Sequence, residues 1–228
     1  GIRPNATYVE EVATIKQFWQ ELLESDVFVQ YEGEAFNQLH AIQVINEAAQ
    51  DGDTILSAAG GPPGDLHQLW DTSGGRPCLL EFGYSCMGWE IPAGLGVRMA
   101  QEDGEVYVFV GDGTYLMNPT ELATAMQENL KVTVVVSDNH GFQVIRRLQM
   151  WRTGKSFGNE FRHRSDKSGR REGDYLPIDM AANARSMGAR AWHVATEEEL
   201  RKALREARRE TTVSYTHLRA HETLRYLV

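Results

Sequence analysis

The chain has 228 residues, 42% hydrophobic and 24% charged, enough length and apolar content to bury one full core. Its 23 Lys and Arg stand against 32 Asp and Glu, a net charge of −9. That balance argues against nucleic acid or an anionic membrane recognised by bulk charge. No apolar run approaches the roughly 18–20 residues of a membrane span, and the chain opens at Gly1 without a secretory leader. Cys78 and Cys86 make neither a disulfide framework nor a C-x-x-C pair. Both read as half-buried small hydrophobes of a chain in a reducing cytoplasm.

In chain order, residues 8–24 carry Val9, Val12, Ile15, Phe18, Trp19, Leu22 and Leu23 at helical spacing, and a second helical run follows over 34–50. Short apolar runs then recur at Thr54–Ala59, Cys78–Phe82, Val106–Val110, Val132–Val136 and Ala191–Val194. Helical stretches alternate with them: Ile91–Ala100, Pro119–Leu130, Ile178–Met187 and Glu197–Glu210. Continuous apolar strands alternating with helices predict a doubly wound α/β domain, a parallel sheet covered on both faces. It is expected to span 31–213, with 1–30 the end of a preceding region and a linker. The stretch Gly141–Gly173 holds nine Lys and Arg against three acids among interleaved Gly and Ser. It reads as a long loop, either solvated or a lid over an anionic ligand.

Ligands of an open α/β sheet bind outside the carboxyl ends of the strands, so the strand exits carry the chemistry. Val106–Val110 exits into Gly111-Asp112-Gly113-Thr114, and Asn118, Pro119 and Glu121 look like a helix start. Val132–Val136 exits into Ser137-Asp138-Asn139-His140-Gly141. If the two strands are neighbours, Asp112 and Asn139 point into one site from ends about 5 Å apart. A carboxylate, an amide oxygen and a loop carbonyl make a hard oxygen set suited to Mg²⁺, and the glycines admit a diphosphate.

G-D-G followed by Asn 27 residues beyond Asp112 resembles the signature of thiamine diphosphate-dependent enzymes. The resemblance implies that Asp112, Asn139 and the Gly141 carbonyl hold Mg²⁺, with Gly111, Gly113, Thr114 and Phe142 beside the cofactor. Leu66-His67-Gln68-Leu69-Trp70 resembles the family's Gln-His-Gln-Met-Trp loop. His67 would then contact the diphosphate, while Leu66 replaces a contacting Gln. Tyr84-Ser85-Cys86-Met87-Gly88 is similar to the segment that bends the cofactor. Met87 would be the wedge, flanked by Cys86, and the Ser85 carbonyl would accept from the 4′-amine.

Within that family, Gly111–Asn118 looks like acetolactate synthases. The loop Gly60-Gly-Pro-Pro-Gly-Asp65, Glu81–Glu90, Asp138–Arg147 and Ser156–Phe161 resemble a narrower group, the ring-opening hydrolases of inositol catabolism that act on trihydroxycyclohexane-1,2-dione. That resemblance runs from about residue 8 to Val213 and implies hydrolytic C–C ring opening to 5-deoxyglucuronate by a homo-oligomer. His140, Gln143 and Arg146, which follow Asn139 directly, are the candidates to meet the substrate. The activating glutamate of the family sits on a pyrimidine-binding domain that this chain is expected to lack, which would leave it inactive alone.

After Glu197–Glu210 a last strand is expected, and Thr211–Val213 begins one; residues 214–228 then lack apolar alternation, do not resemble the family and look like a translated sequencing adapter, so they are expected not to be native. Two other readings compete. An acetolactate synthase-like carboligase or decarboxylase would use the same cofactor. A non-catalytic binding module would not turn over, and its nucleotide-binding version has only Gly94-Leu-Gly96 in its support.

Overall fold

A computed structural model describes residues 5–27, 36–81 and 83–219. The chain divides into two units, 1–35 and 36–228. The first holds helix α1 (Ala6–Leu22), whose first turn is capped by the Asn5 side chain accepting from Thr7 N at 3.0 Å. The expected domain start at residue 31 lies outside the described residues, as do residues 220–228 of the expected tail.

In the second unit, helix α2 (Gln38–Ala48) is capped by Asn37, whose side-chain oxygen accepts from Leu39 N and His40 N. Strand β1 (Thr54–Ser57) leads into α3 (Pro62–Leu69), which starts on Pro62 and Pro63 where missing N–H groups cost nothing. Then come β2 (Cys78–Leu80), α4 (Glu90–Ala100), β3 (Val106–Gly111), the single turn α5 (Asp112–Tyr115) and α6 (Glu121–Gln127). Next are β4 (Thr133–Asp138), α7 (Gln143–Thr153), α8 (Met180–Ser186), β5 (Arg190–Val194), α9 (Glu197–Arg209) and β6 (Ser214–Arg219).

The six strands form one sheet in the order β2-β1-β3-β4-β6-β5, every pair parallel. A parallel sheet needs apolar cover on both faces, and period-2 alternation supplies it. Val106, Val108 and Val110 face a core shared with Ile91, Leu95, Leu122 and Ala184, from α4, α6 and α8. Tyr107 and Phe109 face the other, shared with Ile42, Ile45, Leu200 and Leu204 from α2 and α9. This is the doubly wound architecture the alternating pattern predicts. No helix among the described residues is long and apolar enough to cross a membrane.

Four expectations change. The basic stretch is not all loop, because its first third is helix α7, ended by Gly154 in the left-handed region. The helix expected at Pro119 begins two residues later at Glu121, since Pro119 and Thr120 carbonyls start the ladder by accepting from Leu122 N and Ala123 N. Cys78 is half-buried as expected, whereas Cys86 is exposed. Finally, the last strand, expected to begin at Thr211–Val213, lies at Ser214–Arg219 between β4 and β5 with five of its six residues buried. Backbone pairing from both neighbours puts a strand there although its side chains do not alternate.

Candidate cofactor site

Strands β3 and β4 are neighbours, with Gly111 opposite Ser137 at their carboxyl ends. Asp112 and Asn139 therefore leave adjacent strands at the same edge. They line one cleft of about 280 Å³ with Ser85, Met87, Gly111, Gly113, Thr114, Gly141, Phe142 and Gln143. Gln38, the Gly60–Pro62 turn, Val144 and Ile145 line it too. The strand-exit rule could have found Gly60–Pro62, because they follow β1. Gln38 and Val144 carry no sequence signal of their own.

Asp112 is buried and both its oxygens are engaged. Oδ1 accepts from Gly113 N and Oδ2 from Gly141 N, each at 2.7 Å. The second bond fastens the β4 exit loop to the β3 exit. Gly141 is required there: its φ is 141° and an added Cβ would lie 2.2 Å from the Asn159 carbonyl oxygen. Gly113 lets the Phe142 ring approach, for a Cβ there would meet that ring at 2.5 Å. Gln143 Nε2 donates to the Asn139 carbonyl at 2.9 Å, so the first residue of α7 holds the loop from its other side.

Burial drives the Asp112 carboxyl well above the usual carboxylate range, and the neighbouring Asp138 carboxylate raises it further. Burial pushes Asp138 upward as well. Hydrogen bonds with His217 and Asp112 outweigh it and hold Asp138 low, so the pair keeps one proton between two buried acids. Such a pair favours a cation. Thr114 Oγ1 is buried at the cleft and has no hydrogen-bond partner among the described residues. A hard oxygen set, an unspent hydroxyl and glycine-cleared backbone fit a divalent cation carrying a diphosphate.

Not every candidate gathers here. His67 is exposed on α3 and does not line the cleft, and Leu66 beside it is buried in the core, which rules out a contact from that position. Cys86 is exposed, its N–H donating to Glu81 Oε2 at 2.8 Å. His140 turns to a separate depression, stacked on Tyr175 with ring centres 4.3 Å apart. Arg146 is ion-paired with Glu160 at 3.3 Å, and only Gln143 of the three substrate candidates lines the cleft. The basic segment is pinned, not free: Phe142 N donates to Asn159 O, and Phe161 N to His140 O.

Residues 58–217 match the family described as thiamine pyrophosphate enzyme, C-terminal TPP binding domain. The chain belongs to that family. It is 34% identical over 92% of its length to 3D-(3,5/4)-trihydroxycyclohexane-1,2-dione hydrolase 2 of Bacillus cereus, of which it covers 36%. It is 36% identical over 90% of its length to the Clostridium perfringens hydrolase of that name, covering 35% of it. To the Clostridium tetani hydrolase it is 40% identical over 76% of its length, covering 27%. The chain thus spans about a third of the length of these relatives. A Rhodococcus jostii thiamine diphosphate-dependent 4-hydroxybenzoylformate decarboxylase shares the fold, with TM-score 0.71 and 19% identity over 86% of this chain and 34% of that one.

Proposed function

We propose that this thiamine pyrophosphate-binding domain is part of a hydrolase that opens the ring of trihydroxycyclohexane-1,2-dione to 5-deoxyglucuronate in inositol breakdown. The observation that carries the reading is Asp112 and Asn139 at in-register strand exits on one cleft. The 34–40% identity to three hydrolases of that name supports the substrate.

In this reading Asp112, Asn139 and the Gly141 carbonyl hold Mg²⁺. The glycine-cleared backbone of Gly111–Gly113 and the Thr114 hydroxyl face the diphosphate, while Met87 and the Ser85 carbonyl orient the aminopyrimidine. Bound thiamine diphosphate supplies nucleophilic addition to a carbonyl and an electron sink for C–C cleavage. Phe142 keeps water from the metal side, and Gln143 holds the Asn139 backbone and reaches toward the substrate. Water is consumed: one ring C–C bond breaks, one carbonyl carbon becomes a carboxylate and the other takes a proton as an aldehyde. The reading includes a pyrimidine-binding domain from the same or a partner subunit, a homo-oligomer, and a cytoplasmic setting that accords with unpaired Cys78 and Cys86.

Calorimetric titration of thiamine diphosphate with Mg²⁺ against the chain and against Asp112→Ala tests the site. We expect wild-type binding and a loss of at least about a hundredfold in the variant, as for removing a buried charged partner. Equal binding by both would sink the assignment.

A further inference from the structure

Glu90 opens α4 and is buried, 1% exposed, at a position the cofactor reading leaves unused. One carboxylate oxygen accepts from Ala59 N at 3.2 Å, and Oε2 completes no hydrogen bond among the described residues. Burial raises its carboxyl, and nearby backbone N–H groups lower it and offset part of that cost. The bond joins two walls of the cleft, the β1 exit at Ala59 and the start of α4 two residues after Gly88. Ala59 continues into the Gly60–Pro62 turn, and Gly88 follows the Ser85–Met87 segment. A second tie runs the same way, Ser85 Oγ donating to Ala58 O at 3.1 Å. The Ser85–Gly88 loop needs such ties. Ser85 sits at φ 52° and Gly88 at φ 85°, a left-handed backbone that a non-glycine residue such as Ser85 adopts only when its surroundings hold it.

We propose that Glu90 is a positioning residue. Its buried carboxylate ties the β1 exit to the Met87 loop and so sets the width of the cleft between them. Burial pushes its carboxyl only to about 6, so at neutral pH it is ionised and a strong acceptor for Ala59 N. It does not line the cleft and touches no ligand; it acts through Ala59 and Met87. A glutamate at a helix start is ordinary as a dipole partner. What distinguishes this one is near-complete burial combined with a bond from Ala59 N, across from the loop that leads into α4.

The inference rests on the assignment of the cleft to thiamine diphosphate, and the experiment separates the two. Hydrogen exchange on the whole chain without cofactor is compared for wild type, Glu90→Gln and Glu90→Ala. Thiamine diphosphate with Mg²⁺ is then titrated into each. In Glu90→Ala we expect exchange to quicken at 58–61 and 84–88 while β3 and β4 keep their protection, with affinity about tenfold weaker. Glu90→Gln keeps an oxygen for Ala59 N, so its exchange and affinity should stay within about threefold of wild type. Exchange in Glu90→Ala that is unchanged, or faster everywhere, overturns the proposal. So does affinity within twofold of wild type, or failure of Gln to rescue. Absence of binding by the wild type counts against the cleft reading alone, and the exchange pattern still decides the role of Glu90.

Discussion

Asp112 concentrates the energetics of the cleft. Its folded carboxyl is raised, so above the ordinary carboxylate range near pH 4 the folded chain holds a proton the unfolded chain has released. The contribution of Asp112 to stability is therefore largest at low pH and is lost as pH rises toward its raised value. A divalent cation reverses this by replacing the proton. We expect Mg²⁺ to raise the melting temperature more at pH 8 than at pH 5, with protons released on binding. A Mg²⁺ effect that does not vary between these pH values would count against Asp112 as a ligand. Gly113→Ala should destabilise the chain by about 1–3 kcal/mol, because the new methyl overlaps the Phe142 ring. Denaturant unfolding measures it, and a change under about 0.5 kcal/mol would mean that the ring simply moves. The G-D-G and Asn types were readable from the sequence. The pairing of Asp112 with Asp138 was not, because it depends on strands from different segments meeting at one edge.

At the element scale, β6 carries the clearest tension. The central strands read Val-Tyr-Val-Phe-Val in β3 and Thr-Val-Val-Val in β4, as strands buried on both faces should. β6 reads Ser-Tyr-Thr-His-Leu-Arg, and Tyr215 OH and Thr216 Oγ1 are buried without a hydrogen-bond partner among the described residues. Such groups cost about 1–3 kcal/mol each when left unpaired. Thr216→Val should therefore raise stability by about 1 kcal/mol, read from the denaturation midpoint. A loss of stability would show that the hydroxyl is satisfied. The same tension supports the proposal that residues 214–228 are foreign to the gene, although the family match runs to residue 217; resequencing the genomic locus would refute it by recovering their codons. The sequence pattern pointed to a strand beginning near Thr211 but not to its extent, since backbone pairing, not side-chain alternation, defines it. In α7 the reverse happened. Gly and Ser in the downstream half of the basic stretch masked Val144, Ile145 and Leu148 at helical spacing.

For the whole molecule, the prediction concerns completeness of the active site. The chain covers about a third of its hydrolase relatives. We expect no ring opening of trihydroxycyclohexane-1,2-dione by the 228-residue chain, and activity abolished by Asp112→Ala in the longer protein. Product formation by the isolated chain would overturn the first expectation, and an active variant the second. The sequence by itself determined the parallel α/β class, through continuous apolar strands that only a doubly covered sheet can bury. It also determined the residue types at the two strand exits that the proposal assigns to the metal, because their spacing is local. The tertiary structure alone decided which candidates share the cleft: Gln143 lines it, whereas His67, His140 and Arg146 face elsewhere. It decided as well that Glu90 ties two walls together. Side-chain direction and long-range pairing follow from how helices pack on the sheet, and no local pattern encodes that.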